Sequence, residues 1–170
     1  MLVRVVEALI WILPAYVANA APVVVTNFLK KRSRLHPLDF GRIFLDGRRV
    51  FGDNKTIEGF AGGFLAGVMA AFILTQLSLH SLLSGTVLSL GALLGDLAGA
   101  FAKRRMGIKP GDPVPLLDQL DFLVGAFAAY FIVFRELDPF VAGILVLLTP
   151  PIHLATNALA YIAGLKQHPW

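Results

Sequence analysis

The sequence predicts an all-α polytopic integral membrane protein with five transmembrane helices, and three observations carry that reading. More than half of the 170 residues are hydrophobic (56%), the mean hydropathy is +0.72 and only 15% of residues are charged, a composition outside the range of ordinary soluble domains. The apolar residues form runs long enough to cross a ~30 Å hydrocarbon core. The basic residues fall mostly between those runs, and their placement orients the spans. A single membrane domain covering residues 1–170 is the expected organisation.

The first run covers about 5–29 and is interrupted by Glu7, Pro14, Asn19, Pro22 and Asn27. Each proline removes a backbone hydrogen bond, so neighbouring helices or polar side chains should satisfy the freed carbonyls. No cleavage site follows the single arginine and long apolar stretch at the start, so this run reads as a retained helix and not a signal peptide. A polar connection over about 30–59 follows. It holds eight of the fifteen basic residues, Lys30, Lys31, Arg32, Arg34, Arg42, Arg48, Arg49 and Lys55, which places it on the cytoplasmic side. Within it, Asp46-Gly47 between short apolar runs predicts a tight turn and a small hairpin or interfacial fold-back.

Helix two is predicted over about 60–79 and helix three over about 82–102, joined by a link that contains His80 and neither lysine nor arginine. The connection over about 103–120 carries Lys103, Arg104, Arg105 and Lys109 and returns to the cytoplasm. Helix four covers about 118–134. Helix five covers about 140–165, with a bend expected at Pro150-Pro151. Five spans put the N-terminus outside and the C-terminus inside, with both basic connections on one face. Gly91, Gly95 and Gly99 recur at every fourth position of helix three, spacing that serves close helix packing in lipid or brings backbone near a ligand.

The net charge of +4 does not indicate nucleic acid, because the basic residues mark topology and do not build one extended basic face. The chain has no cysteine, so any metal must be held by oxygen or imidazole, which leans toward magnesium. Asp96 is the most informative residue. It precedes Lys103 by two helical turns, about 10 Å inside the end of the span, where an unpaired carboxylate costs several kcal/mol. A structural ion pair accounts for it, and so does a functional site. Asp118 and Asp121, three apart at the start of helix four, share a face. They suit a helix N-terminus, or a cation between them that relieves their repulsion. Asp96, Asp118 and Asp121 at one interface would suit magnesium with phosphates and water completing its shell. Lys103, Arg104 and Arg105 fit both the positive-inside pattern and phosphate contacts. Asn54, Lys55, Thr56 and Glu58, just before helix two, form a second polar cluster. It lacks the glycine spacing of a Walker loop, and Thr56 also fits a helix cap. None of the histidines is assigned to catalysis.

Taken together, YVANAAPV in helix one, PLDFGRIFLDGRRVFGDNKTIEG in the first connection and GDLAGAFAKRRMGIKPGDPVPLLDQLDF around the second resemble the CDP-archaeol synthases, the archaeal members of the phosphatidate cytidylyltransferase family. The likeness covers nearly the whole chain. It implies transfer of a cytidylyl group from CTP to an isoprenoid glycerol ether phosphate lipid, 2,3-bis-(O-geranylgeranyl)-sn-glycerol 1-phosphate, with magnesium as cofactor. It matches Asp96 to the family's glycine-aspartate element, Lys103 and Arg104 to its basic pair, and Asp118 and Asp121 to its closing pair of acids. Together with the residue chemistry, this makes Asp96, Asp118, Asp121 and Lys103 the expected catalytic residues, with the three acids at the metal, and Asn54, Lys55, Thr56, Glu58 and Arg104 the expected nucleotide-binding residues. Ala100, Leu116, Leu117 and Gln119 stand where bacterial relatives commonly carry serine, glycines and arginine, which favours the archaeal subgroup, and Asn54 stands where a glycine is common. A CTP-dependent polyprenol or phytol kinase shares the nucleotide and the membrane, and a small transporter shares the intramembrane acid. A homo-oligomer is compatible with all of these readings.

Overall fold

A computed structural model of the chain describes residues 1–166 and 168. Five helices follow in order: α1 (Leu2–Lys30), α2 (Ile57–Gln76), α3 (Leu82–Arg105), α4 (Leu117–Phe134) and α5 (Pro139–Ile162). All five are long and apolar enough to cross a membrane. Their limits follow local chemistry. Thr56 caps α2 by accepting the amide of Gly59 at 3.1 Å, and Asp138 caps α5 by accepting that of Phe140 at 2.8 Å, with Pro139 in the first turn. Arg135, in the left-handed conformation, closes α4. The third helix runs past its predicted end through Lys103, Arg104 and Arg105. Cations are favourable at a helix C-terminus, so the basic cluster is helical and not part of the connection.

The central element is α3, which packs against α1, α2 and α4, while α5 lies at the edge against α4 and α1. The core is built mainly from small and aliphatic residues, Ala8, Ile12, Ala15, Leu88, Ala92, Leu123, Ala126 and Leu145, around the ring of Phe122. Tyr16 and Thr149 share a hydrogen bond of 2.7 Å that ties α1 to α5. The proline at 22 leaves the carbonyl of Ala18 without its helical donor. Gly63 of α2 packs there so closely that a side chain would come within 2.7 Å of that oxygen, an approach that suits a weak Cα–H···O contact. Pro150 and Pro151 lie inside α5, which continues through both.

The two polar connections meet at one end of the bundle. Arg48 donates to the carbonyls of Arg104 and Arg105 at 3.3 and 2.5 Å, and Gly52 stands against Pro110. The predicted hairpin is present in minimal form: the Phe44 amide bonds to the carbonyl of Arg48 at 2.7 Å, Ile43 bridges Arg49, and Gly47 takes a φ of 77°. At the same end, Asn27 donates to the carbonyl of Leu165 at 2.5 Å, tying α1 to the chain beyond α5.

The α3–α4 contact sets the bundle's axis, and it depends on glycine. A methyl group at Gly95 would collide with the carbonyl of Asp121 and lie 2.9 Å from the Cα of Gly125. Gly95→Leu is therefore expected to destabilise the protein by about 1–3 kcal/mol through overpacking. Gly143→Ala, with no atom near the added carbon, should be neutral or slightly stabilising. Thermal unfolding of both variants in detergent checks the contrast.

Candidate active site

The first connection is organised around Asp39, which is 5% exposed. Its carboxylate accepts the amides of Gly41, Phe51 and Gly52, each at 3.0 Å, and the guanidinium of Arg49 at 2.6 and 3.2 Å. Arg49 also pairs with Asp53 at 2.8 Å. Burial alone would raise the Asp39 carboxyl, but Arg49 and the three amides outweigh it and hold the group well below the ordinary carboxylate range. The amide of Leu38 bonds to the carbonyl of Lys55 (2.7 Å), and that of Ile57 to the carbonyl of His36 (2.9 Å). These bonds close the two ends of the connection beside α2. Neither Asp39 nor Arg49 was singled out in the sequence. The available signal was an acid between apolar residues in PLDFG, ten positions before an arginine.

This frame delivers Lys55 to α3, where its ammonium lies 2.6 Å from both carboxylate oxygens of Asp96. Burial works against the charge on Lys55, and Asp96, reinforced by Asp121 and Asp118, outweighs burial and raises the pKa of the ammonium. A second pair stands nearby: Lys103 donates to both oxygens of Asp118 at 2.8 and 3.0 Å and to the carbonyl of Asp112 at 2.8 Å. Asp118 also accepts the Val114 amide at 2.9 Å. Asp96 and Lys103, two turns apart on one helix face, therefore engage different partners.

Asp121 differs from the other two acids. It accepts the amide of Phe122 at 2.6 Å, and among the described residues no cation forms an ion pair with it. Its carboxylate occupies the space left by the missing side chain of Gly99, where any Cβ would overlap it. The glycine repeat of α3 thus serves packing at Gly91 and Gly95 and seats a carboxylate at Gly99. Arg104 is the complement. It is 5% exposed, and among the described residues no carboxylate pairs with it and its Nε is buried without a hydrogen bond. Gly52 lies against its guanidinium.

Lys55, Asp96, Lys103, Asp118 and Asp121 thus form one cluster between the first connection, the cytoplasm-predicted end of α3 and the start of α4, with Arg104 beside it. The other predicted residues stand at its border with local tasks. The Thr56 hydroxyl is the α2 cap, and Glu58 accepts the amide of His36 at 3.1 Å and contacts its ring at 2.6 Å. Asn54 is exposed beside Gly111 of the second connection. Arg105, expected like Lys103 and Arg104 to offer phosphate contacts, is a clamp: it pairs with Asp46 at 3.2 Å, donates to the carbonyl of Arg49 at 2.6 Å and covers the rings of Phe44 and Phe101.

The donor set consists of carboxylate oxygens, which suits magnesium. Among the described residues no three acidic or imidazole side chains stand close enough to enclose an ion, and lysines contact Asp96 and Asp118. Magnesium at this place needs phosphate and water oxygens as well, as is usual for that ion. A cavity of about 780 Å³ opens at the opposite end of the bundle between Arg4, Trp11, Tyr130 and Arg135 and contains none of the cluster's residues.

A family model described as "CarS-like: CDP-archaeol synthase" matches residues 1–170. A CDP-archaeol synthase of Thermofilum pendens is 52% identical over 167 residues, covering 98% of this chain and 82% of the relative. One of Aeropyrum pernix is 45% identical over 169 residues, covering 98% and 93%. A solved structure described as an intramembrane enzyme for archaeal membrane lipids biosynthesis superposes with a TM-score of 0.79 at 43% identity, covering 90% of this chain and 94% of its own.

The Asp39 network carries a pH dependence with a defined sign. Its folded-state carboxyl lies below the unfolded value, so its stabilisation is complete above about pH 4 and is lost as pH falls through the folded-state value. Asp39→Asn should loosen the first connection at neutral pH by ~1.4 kcal/mol, raising its rate of limited proteolysis about tenfold. Acidifying the native chain should reproduce the loosening, read with an acid protease.

Proposed function

The chain belongs to the CDP-archaeol synthase family, and we propose that it is a CTP-dependent cytidylyltransferase converting 2,3-bis-(O-geranylgeranyl)-sn-glycerol 1-phosphate and CTP to unsaturated CDP-archaeol and pyrophosphate. The observation that carries the reading is that, among the described residues, neither Asp121 nor buried Arg104 forms an ion pair, while the Lys55–Asp96 and Lys103–Asp118 pairs flank them. A nucleoside triphosphate with its cation complements both. The positive-inside distribution supports a site facing the cytoplasm, an external N-terminus and an internal C-terminus within one membrane domain.

In the proposed reaction an oxygen of the lipid phosphate attacks the α-phosphorus of CTP in line. The new P–O bond forms as the bond from the α-phosphorus to the bridging oxygen breaks, and pyrophosphate leaves with that electron pair. The nucleophile is already ionised, so the protein's work is to position two polyanions and offset their repulsion. Lys55, Lys103 and Arg104 hold phosphates, with the guanidinium able to grip two oxygens at once. Asn54, Thr56 and Glu58 border the nucleotide. Asp96, Asp118 and Asp121 would hold magnesium, which supplies charge neutralisation to the phosphates when bound.

Purified protein, magnesium and the ether-lipid phosphate are incubated with each of the four nucleoside triphosphates, and products are identified by mass. The expected outcome is a cytidylylated lipid and pyrophosphate with CTP. Release of CDP and a phosphorylated alcohol would instead indicate a kinase. Asp121→Asn in folded protein is expected to lower turnover by about 100-fold or more, the scale of losing one charge-stabilising group in a closed site. Normal magnesium-dependent turnover in that variant would remove Asp121 from the metal site.

A further inference from the structure

The hairpin of the first connection carries apolar side chains that the bundle does not cover. Phe40, Ile43 and Leu45 are 71%, 66% and 96% exposed, and Phe44 is partly exposed beside them. These residues are not on a loose loop. Arg48 anchors the hairpin to the last carbonyls of α3, and Arg105 pairs with Asp46 and donates to Arg49. The ring of Phe44 meets that of Phe101 edge-on at 5.2 Å. Phe101 lies one turn inside the end of α3, so the contact holds the hairpin at the depth of the last apolar turn of a membrane span. Exposed Lys31, Arg32, Arg34 and Arg42 lie in the same connection, just after Lys30 at the end of α1.

We propose that this hairpin inserts into the headgroup–acyl boundary of the leaflet next to the site, with Phe40, Ile43, Phe44 and Leu45 among the upper chain carbons and the basic residues among anionic headgroups. Apolar and aromatic groups combined with lysine and arginine favour that position. The depth marked by Phe101 favours a bilayer over a soluble partner as the cover of the patch. The same connection continues through the Asp39 network to Lys55, so the hairpin seats the catalytic loop at the level where a lipid phosphate lies. This last consequence rests on the activity proposed above, whereas the insertion itself does not.

The chain contains no cysteine, so single-cysteine variants report one position each. Leu45→Cys and, as a water-facing reference, Lys109→Cys in the full-length protein are labelled with a polarity-sensitive fluorophore and reconstituted singly into nanodiscs of phosphatidylglycerol and phosphatidylcholine. At position 45 the expected result is blue-shifted emission, quenching by lipids bearing a nitroxide on the acyl chain, and protection from aqueous iodide, all relative to position 109. Iodide quenching equal at the two positions would overturn the proposal. So would protection that arises only when two copies share a nanodisc, which would assign the patch to a second copy. In turnover assays Leu45→Asp should raise KM for the lipid phosphate about tenfold, the scale of one leucine-sized transfer, and leave KM for CTP unchanged. A label buried in lipid with no turnover on any nucleotide would retain the insertion and reject the activity.

Discussion

An ionised carboxylate two turns inside an apolar helix is costly unless a cation reaches it, and the Lys55–Asp96 pair meets that requirement from outside the helices. The cation comes from a connection, so the connection has to be ordered. Asp39 gathers three amides and Arg49 at its centre, Thr56 stops it against α2, and Arg48 and Arg105 clamp its hairpin to the end of α3. The fold of residues 31–56 is therefore the means by which a charge inside the bundle is balanced.

The same economy of charge shapes the contact between α3 and α4. Gly95 and Gly99 bring the two helices close enough for the Asp121 carboxylate to rest against α3, next to Asp96 and Asp118, both of which lysines already neutralise. Arg104, at the end of α3, is buried and forms no ion pair among the described residues. Two groups of opposite sign are kept apart within one cluster instead of cancelling each other. The proposed reaction asks for this kind of arrangement, since it needs positioning and charge neutralisation more than covalent participation by the protein.

Much of this was legible in the residues. Five apolar runs specify five helices with ends displaced by only a few positions, since run length and turn-forming residues are local properties. The extension of α3 through Arg105 arises because cations that mark a loop also stabilise a helix C-terminus. Asp96, Asp118, Asp121, Lys55 and Lys103 were legible as chemistry because charge in or beside a span is expensive. Asp39 was not, since an acid in a polar connection looks the same whether it is solvated or buried at the centre of a network.

What the sequence determined by itself was the helical class, the number of spans, the grouping of basic residues in two connections and the identity of the charged groups that need partners. Each follows from composition or from periodicity over a few turns. Only the tertiary structure decided which partners they take. Lys55 and Asp96 are 41 positions apart, and Lys103 turns to Asp118 on the next helix and not to Asp96 on its own. Pairing of that kind depends on how closely α3 and α4 approach and on how a long connection closes over them, and neither is encoded in any local stretch of the chain.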